Sequence, residues 1–243
     1  MKNYHKTILK AFFFIFFFLL IIQNSYSQES NGFINQGIEK YDKGDFQAAI
    51  RIYTQGIEVT PKNADLYNVR GNAKDKLGDY EGAILDFSKA ISLEPKFGEV
   101  YNNRGLSKTR FGDIKGALID FANSIKYKPN FCEAYYNRGL TYFNLNDFNS
   151  AMNDFNSAIK CDAHYAKALN NRGILKVKLK DYKGALVDYN KLIEINPRDG
   201  DAYFNRGITK YYLNQTNSAC DDFYMAQSLN SINAAKFVLK YCK

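Results

Sequence analysis

Along residues 132–165 the apolar and small side chains recur with helical spacing. Tyr135, Arg138, Gly139 and Tyr142 lie at i, i+3, i+4 and i+7 on one face of a first helix, and Ala151, Phe155 and Ala158 mark the inner face of a second. Asn146-Asp147 stands between them: one residue able to close a helix in the left-handed region, then one able to cap the next helix. The pattern recurs in step. Gly37, Gly71, Gly105, Gly139, Gly173 and Gly207 are 34 residues apart, as are Ala49, Ala83, Ala117, Ala151, Ala185 and Ala219. The aromatic series Tyr53, Phe87, Phe121, Phe155, Tyr189 and Phe223 keeps the same step. All four prolines, Pro61, Pro95, Pro129 and Pro197, share one phase, where each stops a second helix. A period of this length means stacked supersecondary units, none of which buries its apolar face alone.

The spacing predicts an all-α chain, an α-solenoid of six 34-residue helix-turn-helix repeats at 30–63, 64–97, 98–131, 132–165, 166–199 and 200–233. Five turns read Gly44-Asp45, Gly78-Asp79, Gly112-Asp113, Asn146-Asp147 and Lys180-Asp181. Lys180 departs from the Gly/Asn chemistry, so its turn is expected to be strained or of another type. Gln215, Thr216 and Ser231 weaken the sixth repeat, as expected where a stack ends. After it, residues 234–243 restart the first-helix pattern with Phe237 in the aromatic phase, and are predicted to form a C-terminal capping helix.

Five repeats place a full charge beside the close-contact glycine: Arg70, Arg104, Arg138, Arg172 and Arg206. A charge on a buried stripe needs a partner. One acidic series on a second-helix seam keeps step with it: Asp86, Asp120, Asp154, Asp188 and Asp222. The first repeat has Gln36 and Ile52 at these phases, so both charges vanish together. Pairing within each repeat leaves no charge orphaned. Pairing with the following repeat would leave Arg70 facing Ile52, and the first arrangement is preferred. The arginines are therefore read as structural ion pairs, not as an anion site.

The aromatic-x-x-x-Gly, Ala-x-x-x-aromatic and Pro landmarks resemble the tetratricopeptide repeat over nearly the whole chain from residue 30. The resemblance implies antiparallel helix pairs in a right-handed superhelix with a concave groove that holds a protein or peptide partner. Some domains of this kind grip a C-terminal carboxylate through spaced Lys, Asn and Arg residues. Here the matching phases read Ile34, Ile38, Asn68, Asn72, Glu133 and Asn137, and the lysine is missing. A second stripe on the first helices is expected to face the groove: Tyr136, Leu140 and Phe143, then Ile174 and Val177, then Phe204, Ile208 and Tyr211. Asn68, Asn72 and Asp75 occupy this phase in the second repeat, so apolar residues are not required there for packing. Such a stripe must be covered by neighbouring first helices, the chain's own tail, a second copy or a partner segment. With Lys167, Lys178 and Arg198 around it, partner binding is the favoured reading.

Composition narrows the remaining possibilities. A basic head with Lys2, Lys6 and Lys10, the apolar run AFFFIFFFLLII and small residues before Gln28 predict a signal peptide over 1–27, cleaved near Ser27, or a retained membrane anchor. Cleavage would make the protein periplasmic or secreted. It would leave 30 basic and 25 acidic side chains, a net charge of +5, with no basic run or aromatic-rich basic stripe to suggest nucleic acid. His164 is then the one histidine, so no catalytic triad or metal cluster can be assembled, and neither enzyme chemistry nor a cofactor is expected. In an exported protein Cys132 can meet Cys161 and Cys220 can meet Cys242 as disulfides. Cys161 and Cys220 also sit where other repeats have Leu93, Ile195, Ile84 and Leu186, which fits reduced core residues equally. The functional expectation is a non-enzymatic, exported interaction scaffold. Its alternatives are a structural subunit that assembles through its ends and an accessory or chaperone-like regulator of a secreted enzyme.

Overall fold

Helix and turn alternate from end to end of residues 30–242, the residues that the computed structural model describes. The first helices of the repeats are α1 (30–42), α3 (Ala64–Lys76), α5 (Gly98–Phe111), α7 (Cys132–Asn144), α9 (Ala166–Lys178) and α11 (Gly200–Tyr212). Their partners are α2 (Phe46–Val59), α4 (Tyr80–Leu93), α6 (Ile114–Tyr127), α8 (Phe148–Cys161), α10 (Tyr182–Ile195) and α12 (Thr216–Ser228). α13 (Ala234–Tyr241) ends the chain. The expected signal segment, 1–27, lies outside the described residues. Among those described, no helix is long and apolar enough to cross a membrane.

The turns follow their residue chemistry. Gly44, Gly78 and Gly112 take φ of 78°, 81° and 99°, and Asn146 and Asn214 take 59° and 61°. Asp45, Asp79, Asp147 and Asp181 then accept hydrogen bonds from the amides of Ala48, Gly82, Ser150 and Gly184, which would otherwise be unpaired at a helix start. Lys180 adopts the same left-handed conformation at φ 63°, so its turn is of the common type and the strain stays on a side chain poorly suited to it. Inside the helix pairs the small residues set the approach. A Cβ on Gly71 would stand 2.7 Å from the Phe87 ring, and one on Gly207 would stand 2.7 Å from that of Phe223.

The chain divides into two compact units, one ending at Asp120 and one beginning at Phe121. The first has cores around Tyr53 and Leu66 and around Phe87 and Val100. The second has cores around Phe155 and Leu175, around Tyr189 and Leu192, and around Phe204 and Phe223. α13 packs on α12, with the Phe237 ring 4.9 Å from Phe204 and 5.5 Å from Phe223. Cys132 is bonded to Cys161 and Cys220 to Cys242, each pair with its Cα atoms 5.5 Å apart.

The second bond ties α13 to the last repeat. Replacing Cys220 and Cys242 by serine should lower stability by about 2–3 kcal/mol and speed amide exchange in α13 ahead of the other helices. Four alkylated thiols in the intact mass of unreduced protein would refute both disulfides.

Candidate functional site

The charged seam forms the framework of the first-helix faces. Arg70 donates from Nε and Nη2 to the two oxygens of Asp86, at 2.9 and 2.7 Å. Arg104 and Asp120, Arg138 and Asp154, Arg172 and Asp188, and Arg206 and Asp222 are joined in the same way, each within one repeat. The five carboxylates are buried. Sequence reasoning missed two further partners. Lys74, Lys108, Lys176 and Lys210 place a second cation, an ammonium, 2.7–2.8 Å from Asp86, Asp120, Asp188 and Asp222. The Nη1 of Arg70, Arg104, Arg172 and Arg206 donates to Thr54, Ser88, Asn156 and Asn190 on the preceding second helix. Both series are legible in the same repeat phase. In the fourth repeat those phases hold Tyr142 and Ala122, which supply neither ammonium nor acceptor. The bond to Asp154 strengthens the hold of Arg138 on its proton, and Asp222 does the same for Arg206.

The asparagine of the Asn-Arg-Gly triplets was a second missed signal. Asn103 donates to Asn68 at 3.1 Å, Asn171 to the Tyr136 hydroxyl at 2.9 Å and Asn205 to Asn170 at 3.2 Å, each bond joining successive first helices. In the N-terminal unit Asp75 also accepts from Ser107 and pairs with Arg110, so its stripe phase is a polar network.

The expected groove stripe divides three ways. Phe204 is only 9 % exposed and belongs to the core under α13, and Ile208 packs into the same cluster. Tyr211 is partly exposed, with its ring 4.6 Å from Tyr241. Phe204 and Ile208 therefore do not line an open groove: the chain's own tail packs in the same cluster, because Phe237 restarts the aromatic series and needs an apolar seat, while Tyr211 meets Tyr241 and stays 37 % exposed. Tyr136, Phe143 and Val177 are half-buried. Tyr136 packs on Phe155 and Tyr165, Phe143 on Phe148, and Val177 on the core beside Tyr189. Burial pushes the phenol of Tyr136 up, and that of Tyr165 to about 12, with the Glu133 carboxylate adding to the latter. Tyr136 is thus a packed residue, not a free anchor. Leu140 is half-buried, and Ile174 on the adjoining α9 is 36 % exposed.

Lys167, Lys178 and Arg198 are all exposed, and the Lys178 ammonium lies over the Phe143 and Phe148 rings. Among the described residues no three His, Cys, Asp or Glu side chains converge as a metal site. A shallow concavity of about 370 Å³ at Asn214–Ser218 is lined by amides and hydroxyls, with no titratable group.

The sequence profile of the tetratricopeptide repeat matches residues 64–97, 132–165 and 166–199. Those three segments are tetratricopeptide repeats. The remaining helix pairs repeat their architecture, and the fold is a tetratricopeptide-like α-solenoid with a terminal capping helix. PilF of Pseudomonas aeruginosa has a similar structure, with a TM-score of 0.78 at 14 % identity, covering 89 % of this chain and 99 % of that one. A tetratricopeptide repeat protein from Parabacteroides merdae aligns with a TM-score of 0.67 at 24 % identity, covering 88 % and 84 %. YrrB, described as a tetratricopeptide repeat protein with an unusual peptide-binding site, aligns with a TM-score of 0.64 at 20 % identity, covering 77 % and 97 %. At these identities the likeness is one of fold. No curated protein sequence is similar enough to this chain to count as a match. Tetratricopeptide repeats are generally platforms for protein interaction and not enzymes.

The tetratricopeptide seam gives a graded test. Asp154→Leu should cost about 3–5 kcal/mol by stranding Arg138. Asp188→Leu should cost more, since Arg172 and Lys176 both lose their partner. Adding Arg138→Met to Asp154→Leu should recover most of the first loss in urea unfolding. Simple additivity would refute the pairing.

Proposed function

We propose that this protein is an exported member of the tetratricopeptide repeat family, a non-enzymatic scaffold that holds a protein segment on the first-helix face of its C-terminal unit. The observation that carries the reading is a difference between equivalent residues. Ile208 of α11 is covered by α13, whereas Ile174 of α9 is open to solvent next to half-buried Leu140 of α7. Apolar side chains at this phase are not needed for stacking, since Asn72 stands there in the second repeat. The segment that satisfies them is then an apolar strand or helix laid across α7 and α9, with Lys167 at the rim. Export is supported by the leader-like residues 1–27 and by the two cysteine pairs, which suit an oxidising compartment.

The assembly reading has its own observation. Leu85 and Ile119 are exposed at one phase of successive second helices in the N-terminal unit, a surface that self-association would cover. Sizing and crosslinking of the purified chain decide between them. Leu140→Ser and Ile174→Ser should each weaken capture of envelope partners by about 1–2 kcal/mol without changing the melting temperature. Unchanged capture by the folded double variant would remove the first-helix face as the site. A concentration-dependent oligomer abolished by Leu85→Ser and Ile119→Ser would favour assembly.

A further inference from the structure

We propose that the turn edge of the C-terminal unit is a second docking surface, one that takes an acidic peptide segment bearing aliphatic side chains. It adjoins the first-helix face, whose rim includes Lys178, but it is centred on the turns and does not depend on that reading. The starting point is Lys180. Five equivalent turn positions hold glycine or asparagine, which accept a left-handed backbone, and this one holds a lysine at φ 63°. Strain kept at one repeat of six points to a use for the side chain. Its neighbours agree in chemistry. Lys178 lies over the Phe143 and Phe148 rings, 5.7 and 4.7 Å from their centroids. Leu145 and Leu179, at the same phase of successive repeats, are 52 % and 49 % exposed. Tyr182 stacks on Tyr212 at 5.1 Å, leaving Tyr212 53 % exposed.

Charge selects the occupant. From Phe121 onward the chain has 17 Lys and Arg against 11 Asp and Glu, whereas residues 28–120 have 13 against 14. The acids of these turns, Asp147 and Asp181, hold helix-capping amides, while Lys180 is exposed and Lys178 rests on the Phe143 and Phe148 rings with no carboxylate partner among the described ion pairs. An acidic segment meets the lysines, and its aliphatic side chains meet Leu145 and Leu179. A nucleic acid strand is less well served, because it needs free aromatic faces and here several are taken. Tyr182 and Tyr212 each give one face to the other, and Lys178 lies over Phe143 and Phe148.

The test uses the disulfide-intact protein and fluorescence anisotropy with a short labelled glutamate–leucine peptide. Its lysine–leucine counterpart and oligothymidine serve as comparisons. The glutamate–leucine peptide should bind, and binding should weaken with salt. Lys180→Gly should raise the melting temperature by about 2–4 °C and yet lower the affinity at least threefold. Lys178→Gln and Leu179→Ser should each lower it further. Lys115→Gln, the same loss of charge in the N-terminal unit, should leave it unchanged. The proposal is overturned if the peptide does not bind, if Lys180→Gly binds as well as the parent, or if oligothymidine is the preferred ligand.

Discussion

The structure depends on a buried carboxylate on each second helix from the second repeat to the sixth. Asp86, Asp120, Asp154, Asp188 and Asp222 face inward, and each grips the guanidinium of its own first helix through two parallel bonds. Such a pair gains little over a well-packed apolar isostere, because the desolvation of both ions offsets their attraction. Its value is geometric. A leucine seam tolerates a slip, but a one-turn slip of about 5.4 Å would leave buried ions unpaired. The free Nη1 of the same guanidinium reaches a hydroxyl or amide on the preceding second helix in four repeats. One side chain thereby sets register within a repeat and between repeats, and the positive charge it carries is consumed in doing so.

That arrangement constrains where function can lie. The arginines, the aspartates and four lysines are committed to the seam, and Asn103, Asn171 and Asn205 to bonds between first helices. What is left for recognition is whatever the repeat does not require. By that standard Ile174 and Leu140 are informative because the second repeat manages with one asparagine, Asn72, at their phase. Lys180 is informative because its turn would fold more easily with glycine. Phe204 and Ile208 are not, since the tail uses them.

Much of this was legible in the chain. The period placed the helices, the turns and the capping aspartates, and the joint loss of charge at Gln36 and Ile52 pointed to pairing within each repeat. The burial of Phe204 was not legible. A first-helix stripe reads the same whether solvent, a partner or the chain's own tail lies over it, and only three-dimensional placement separates these. Tyr136 misled for a related reason. Its phase faces outward in the pattern, but a large ring can lean back onto Phe155 and Tyr165 and spend its hydroxyl on Asn171. The turn edge was not legible as a unit because its rings come from three repeats, and Lys178-Leu179-Lys180 by itself reads as the basic end of a helix.

The last repeat shows why a repeat stack needs a special ending. Each repeat is stabilised chiefly by its neighbours, so a terminal one lacks half of its contacts. α13 supplies them, yet at eight residues it is too short to persist as an isolated helix. It has to be held from outside itself. Phe237 enters the gap between Phe204 and Phe223, Tyr241 meets Tyr211, and the Cys220–Cys242 bond keeps the segment near its seat whenever it frays. The apolar stripe of the sixth repeat and the tail that covers it thus answer one need, closing the stack. The equivalent stripe on α7 and α9 has no such duty, and under the proposed function it is a partner segment that covers Ile174 and the open part of Leu140.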